Sequence, residues 1–139
     1  MKTILQILKQ VGGWHHGLNL KIENPPYMAL VIEAIPELGP MGLPAISVAH
    51  YGEQNGDLMR DPEMCFEWSQ PPLCGPELVP YYWRNDWMGV EQYSRYLDGA
   101  NYVFVPPLYD QHRRFAALWD RNLRDQRFLE AFSDKSIRG

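Results

Sequence analysis

From His50 to Glu63 the sequence reads "HYGEQNGDLMRDPE", one imidazole and four carboxylates with almost no apolar bulk. His50, Glu53, Asp57 and Asp61 are ligand types that suit Mg²⁺, Mn²⁺ or a borderline metal. A divalent metal held there would make the chain a metal-dependent hydrolase or nuclease. The spacing fits neither the acidic alternation of an EF-hand nor HExxH. The competing reading is a polar hairpin tip. Asn55-Gly56 is a tight-turn signal and Asp61-Pro62 starts another turn, so acidic residues on a solvated tip need no function. Without a recognised spacing, the architectural reading is the stronger one. Leu58 and Met59 inside the tip nevertheless predict an ordered connection over residues 53–62, packed by its own side chains. Arg60 is expected to clamp it by charge-assisted hydrogen bonds to Asp57, Asp61 or Glu63.

Other chemistry is weaker. Glu33, Glu67 and Glu91 fall on different predicted strands and would need to converge before serving as a general acid–base pair. Cys65 sits mid-strand, where a small buried hydrophobe is usual, and Cys74 sits in a loop with no nearby His in sequence. Ser47 and Ser69 lack a GxSxG context. His15-His16 lies in a Gly-rich turn, and His112 is expected to face solvent or cap a contact near the start of the last helix. The segment "PYYWRNDWMG" holds Tyr81, Tyr82, Trp83, Arg84, Asp86 and Trp87. With Arg60, these are the candidate binding residues, because Trp, Tyr and Arg dominate interface hot spots. If buried instead, they are the heavy end of the core.

These groups must be positioned by a chain of 139 residues, 45% of them hydrophobic, which suits a single domain over 1–139. The net charge of −4 is too mild for a nucleic-acid surface, and the last helix interleaves its Arg residues with acidic ones. There is no apolar run of membrane-spanning length and no convincing signal peptide. Two cysteines do not make a disulfide scaffold, so the expected compartment is the cytoplasm, with no cofactor.

Apolar spacing predicts a helix over 3–11, ended by Gly12-Gly13. Leu18, Leu20 and Ile22 alternate as a strand, and "YMALVIEAI" follows as a more buried one. Ile46 to Tyr51 and Glu63 to Trp68 alternate likewise and are expected to pair as antiparallel neighbours. Further strands follow in "LVPYYWRND" and "MGVEQYSRYL", with turns at Asn85-Asp86 and Asp98-Gly99. A C-terminal helix over about 109–132 carries Phe115, Leu118, Trp119 and Leu123, with a bend expected near Gln126. The fold class is therefore α+β: an antiparallel meander of about five strands, flanked by an N-terminal and a C-terminal helix.

"NPPYMALVIE", "ISVAHYGEQNGDLMRDPEMCFEW" and "YYWRNDWMGVEQ" together resemble an uncharacterised bacterial family of small domains encoded on plasmids, integrated elements and phages. The resemblance spans roughly residues 18–92 and implies no catalytic role. It implies a mobile-element setting, where such proteins often modulate a host protein. The expected function is a small non-enzymatic interaction module whose partner is another protein, homo-oligomerisation included.

Overall fold

Period-two alternation across the middle of the chain builds the frame. The computed structural model describes residues 1–138. Among them the chain forms α1 (Lys2–Gln10), β1 (Asn19–Asn24), β2 (Tyr27–Ile35), β3 (Ala45–Gln54), β4 (Asp57–Ser69), β5 (Glu77–Asn85), β6 (Val90–Tyr93), β7 (Arg95–Asp98), β8 (Asn101–Phe104), α2 (Pro106–Asp125) and α3 (Phe128–Ala131). Strands β1 to β6 form one antiparallel sheet in sequence order, and β7 and β8 form a separate hairpin. The α+β meander with terminal helices is as expected, with six strands in place of about five.

Register carries the alternation straight across the sheet. Leu20, Ile32, Val48, Met64 and Trp83 stand side by side on one face. Ile22 and Leu30 extend that face in the next row, and Ala34, Ile46 and Phe66 do so on the other side. Ile4, Ile7 and Leu8 of α1, Ala116, Trp119 and Leu123 of α2, and Phe128 of α3 close over it. Each fully buried large side chain here contributes about 1.5–3 kcal/mol relative to exposure.

The helices begin and end for local reasons. Gly12 and Gly13 both take positive φ, which stops α1 at little steric cost. At its other end the Thr3 backbone N–H donates to Asp120 Oδ1 of α2 at 2.8 Å, placing a carboxylate on the positive pole of α1. Pro106 and Pro107 open α2, where their missing N–H groups cost nothing. The bend expected near Gln126 is a break: Arg127 adopts φ 64° and the chain restarts as α3.

The stretch from His50 to Glu63 differs from its sequence reading. Ile46–Phe66 and Val48–Met64 are the expected antiparallel partners. The connection, however, is not a ten-residue loop. Pairing continues out to Gln54 and Asp57, so only Asn55-Gly56 turns the chain. Asn55 at φ 52° and Gly56 at φ 85° match a turn of type I′, whose twist suits a hairpin. The register slips between Ala49 and Tyr51, where His50 faces both Asp61 and Pro62. Pro62 has no N–H to give the ladder, and a bulge there accommodates it.

Candidate functional site

The sheet face away from the helices carries the polar chemistry. Two rows cross it: Glu33, Ser47, Cys65, Tyr82 and Tyr93 in one, and Val31, Ala49, Glu63, Arg84 and Glu91 in the next. Row positions bring opposite charges together. Arg84 Nη1 lies 3.3 Å from Glu91 Oε2, and Arg84 Nε donates to Asp86 Oδ1 at 2.6 Å. Asp86 Oδ2 accepts from the Arg60 backbone N–H at 2.8 Å and lies 3.6 Å from Arg60 Nη1. Arg60 Nε is 3.1 Å from Glu63 Oε1, an ion pair rather than an aligned hydrogen bond. Two guanidinium groups thus meet three carboxylates, a lattice that joins the β3–β4 hairpin to the β5–β6 turn. Desolvation opposes ionisation of Asp86, but the Arg60 N–H and the Arg84 guanidinium outweigh it and hold its carboxyl below the usual range.

Arg60 thus pairs with Glu63, one of the three partners expected from sequence, and with Asp86, which was not among them. It grips Glu63 and Asp86, not Asp57 or Asp61, because the hairpin extends β3 and β4 and sends Asp57 to the exposed tip. Replacing Asp86 with Ala removes acceptors from both arginines and is expected to cost about 2 kcal/mol of stability in urea unfolding. A cost within about 0.5 kcal/mol, the usual range of a surface substitution, would show that the lattice is not what ties the two turns together.

The other candidate binding residues divide between faces. Tyr82 is buried on the polar face, its hydroxyl donating to Glu91 Oε2 at 3.1 Å. Burial, with the Glu91 carboxylate adding to it, pushes the phenol up against the opposing Arg84. Tyr81 is the extra residue of a second bulge, since Cys65 pairs with Tyr82 but Phe66 with Pro80. The Arg95 guanidinium lies 5.9 Å from the centroid of its ring. Trp83 points the opposite way, edge-on to Phe115 in the core side. Trp87 is exposed in the β5–β6 turn, leaning toward Gly52 and Met28.

Cys65 is buried and its thiol is pushed up by that burial and by the nearby Glu63 carboxylate, so it stays protonated. The Ser47 hydroxyl donates to Glu63 Oε2. Glu33, Glu67 and Glu91 do not converge: Glu67 is fully buried and bonded to Arg95, whereas Glu91 is exposed and paired with Arg84.

The four metal-ligand candidates do not converge on one site, although His50 and Asp61 lie on paired strands. His50 follows the Ile46–Val48 face into the core, with the rings of Trp119 and Phe128 each 5.5 Å from its own. Glu53 and Asp57 are exposed near the hairpin tip, and Asp61 accepts from Asn85 Nδ2 at 3.0 Å. Alternation along β3 sends neighbouring side chains to opposite faces, which is why closeness in sequence does not make a ligand set. Among the described residues no group of three or more His, Cys, Asp or Glu side chains is placed to hold a metal ion.

Of the two expectations for His112, solvent exposure or a capping contact, the first fails, because the ring is buried. Its Nδ1 is 2.9 Å from Ser94 Oγ and its Nε2 is 3.1 Å from Gln92 Oε1, so a neutral ring satisfies both by accepting from Ser94 and donating to Gln92. Burial lowers the affinity of His112 for a proton. Burial does the same for His50, against opposing backbone contacts to Ala29 and Met28 and the charge of Asp61. Both rings then bind protons less well folded than unfolded. Stability is expected to fall as pH drops below the ordinary histidine value of 6.5 and to rise with pH through that window. The melting temperature at about pH 5 should lie below that at about pH 7.5, and His112→Gln should flatten the difference. Asp86 acts in a separate, lower window, below its ordinary 3.8, because its folded carboxyl is depressed. An unchanged melting temperature between those two pH values would contradict the burial argument.

One exposed group escaped the sequence reading. The hairpin β7–β8 carries Tyr96, Leu97, Tyr102 and Phe104 at its surface, with Tyr93 of β6 beside them, and all five are exposed. Tyr93 and Tyr96 meet edge-on at 6.4 Å. The signal was present in the alternation of "RYLDGANYVF" around Asp98-Gly99, but nothing local says that this hairpin leaves the main sheet.

A family model described as "Domain of unknown function (DUF6908)" matches residues 2–129. The chain belongs to this family. The match reaches well beyond residues 18–92 and takes in α1 and α2, so the terminal helices are part of what defines a DUF6908 domain and not decoration of its sheet. No curated protein and no solved structure matches the chain. Among the described residues, no helix is long and apolar enough to cross a membrane.

Proposed function

We propose that this DUF6908 domain is a non-enzymatic interaction module that binds another protein through the β7–β8 hairpin and the aromatic edge next to it. The observation that carries the reading is the exposure of Leu97, Tyr102 and Phe104 on one face of the hairpin, with Tyr96 exposed on its other face beside Tyr93 of β6. A two-stranded hairpin is marginal by itself, and an exposed aromatic patch of this kind marks an interaction site. Arg95 anchors the hairpin to the sheet, donating from Nη1 to Glu67 Oε1 at 2.7 Å and from Nε to the Pro80 carbonyl at 3.0 Å. The hairpin is thereby presented on a rigid base, which lowers the entropic cost of docking. Arg60, Tyr82, Arg84 and Asp86 support the same reading by ordering the neighbouring turn that exposes Trp87 and Met88. The sequence resemblance adds a setting, a bacterial mobile element, and a role, modulation of a host protein. The free thiols of Cys65 and Cys74 suit the cytoplasm.

The test is a comparison of affinity capture from the native host by the wild-type chain and by a Leu97→Ser, Tyr102→Ser variant with an unchanged melting temperature. The variant is expected to lose the partner that the wild type retains. A partner held equally by both would remove the hairpin from the interface, and concentration-dependent self-association lost in the variant would identify the partner as a second copy.

A further inference from the structure

Strands β1 and β6 end the main sheet, and β8 is the outer strand of the hairpin, since β7 is the one anchored to β5 through Arg95. An open edge offers unpaired N–H and C=O groups to another chain, and proteins blunt it with charge, bulges or a covering segment. β1 has all three. It carries Lys21 and Glu23, its register slips between Ile22 and Asn24, and the C-terminal segment lies on it. There Ile137 bridges Leu20, and the Arg138 backbone N–H donates to the Asn19 carbonyl at 2.8 Å. β6 carries Glu91 and is reached by α2 through His112. β8 reads Asn101-Tyr102-Val103-Phe104, with no charge, no proline and no bulge, and among the described residues it pairs only with β7. Its length of four residues is the one restraint left.

The register says which backbone groups face outward. The Val105 N–H donates to the Ser94 carbonyl at 2.8 Å, so Ser94–Val105 is a hydrogen-bonded row. By antiparallel alternation Tyr96–Val103 is the next such row, and Arg95–Phe104 and Leu97–Tyr102 are not. Tyr102 and Phe104 therefore turn their N–H and C=O groups to the outer edge. Their side chains share one exposed face with Leu97, and Val103 lies on the other face with Tyr96.

We infer that β8 pairs antiparallel with β8 of a second copy of this chain, about a two-fold axis at Val103. This pairing rests on the hairpin being the contact surface and names the partner. It is self-complementary in three ways. Tyr102 stands opposite the second copy's Phe104 and Phe104 opposite its Tyr102, so the outward backbone groups meet in hydrogen-bonded pairs and aromatic rings meet across the strands. Val103 meets Val103 at the axis. No like charges face each other, because the two Asp98 residues lie at opposite ends of the joined sheet and the Arg95 guanidinium is already bound to Glu67. Two hairpins, each marginal as a two-stranded ribbon, become one four-stranded sheet with an apolar face. So short an edge gives a weak, reversible dimer.

Sedimentation velocity of the full chain from about 5 to about 500 µM is expected to show a monomer–dimer equilibrium, the range suited to a small interface. Cross-linking reads the register. Residues of a non-hydrogen-bonded row stand about 4.5 Å apart at Cα, within disulfide reach. Val103→Cys in a Cys74→Ser background should therefore form a disulfide-linked dimer under copper-phenanthroline oxidation, while the native Cys65 stays buried. Asn101→Cys in that background should not, since the two Asn101 positions lie about 13 Å apart along the paired strands. Tyr102→Pro removes an outward N–H, leaves the rows to β7 intact and should keep the chain monomeric, with an unchanged melting temperature. A wild-type chain that stays monomeric to about 500 µM overturns the pairing. The hairpin reading then survives if capture of a host protein is still lost with Leu97→Ser, Tyr102→Ser, which would give the β8 edge to a segment of that protein. Dimers that fail to cross-link through Val103→Cys, or that persist with Tyr102→Pro, place self-association on another surface and overturn the pairing as well.

Discussion

Replacing Glu67 with Ala is expected to lower the free energy of unfolding by about 3–5 kcal/mol, measured by urea denaturation. Glu67 has no exposed surface. Its Oε1 accepts from Arg95 Nη1 at 2.7 Å, and its Oε2 accepts from the backbone N–H groups of Met41 at 2.9 Å and Leu43 at 3.2 Å. One carboxylate therefore pins the β2–β3 loop on one side and the β7–β8 hairpin on the other. Without it, the Arg95 guanidinium stays buried with only the carbonyls of Pro80 and Val79, and two backbone N–H groups lose their acceptor. Removing one partner of a buried pair costs far more than the pair contributes net, because a bare charge remains. The double variant Glu67→Leu with Arg95→Met should therefore cost clearly less than the sum of the single changes. Gly39 belongs to the same arrangement, since a Cβ there would fall 2.2 Å from Glu67 Cγ. A loss of less than about 1 kcal/mol for Glu67→Ala would show that the loop and hairpin are held by other contacts. The single variant should also release the hairpin, so loss of partner binding is expected to accompany it.

Phe128→Ala is expected to cost about 3–5 kcal/mol, read as a lowered urea midpoint and melting temperature. Phe128 is fully buried in a helix of four residues that could not persist on local hydrogen bonds alone. This ring is the buried anchor of α3, packed against His50 at 5.5 Å and Tyr27 at 6.3 Å, with Leu129 and Ala131 also packed on the core. Its loss leaves a cavity behind the His50–Trp119 pair and frees the chain after the left-handed Arg127. Phe128→Leu, which keeps most of the volume, should cost less than about 1.5 kcal/mol. Equal costs for the two variants would mean that the ring is not filling the space behind α3.

Much of the frame was legible in the sequence because it depends on near neighbours. Alternation in Ile46–Val48–His50 and Met64–Phe66–Trp68 told which side chains share the buried face, and the register bears this out. Asn55-Gly56, Asn85-Asp86 and Asp98-Gly99 mark turns for reasons internal to a few residues, and all three separate paired strands. The spacing of Ile4, Ile7 and Leu8 placed α1, and its end at paired glycines followed. The candidate site was legible only in part. Arg60 was recognisable as a clamp, but its partner Asp86 stands across the β4–β5 pairing, where spacing carries no information. The bulge at Tyr81 sets Tyr81 and Tyr82 against different neighbours from those that simple alternation would assign.

The sequence by itself therefore determined which strand residues lie on the apolar face, most of the turns and where the helices run, but not the length of the β3–β4 hairpin or the exposure of Leu118. Those properties follow from periodicity and from the φ preferences of Gly, Pro and Asn, which act over a turn or less. Only the tertiary structure decided that Glu67 meets Arg95, that His112 is buried between Ser94 and Gln92, that His50 is separated from Glu53 and Asp57, and that Tyr96, Leu97, Tyr102 and Phe104 stand outside the core. Each of these depends on how strands distant in sequence are brought into register and where bulges shift it. Local periodicity says which face a side chain takes, while the pairing of the whole sheet chooses its neighbours.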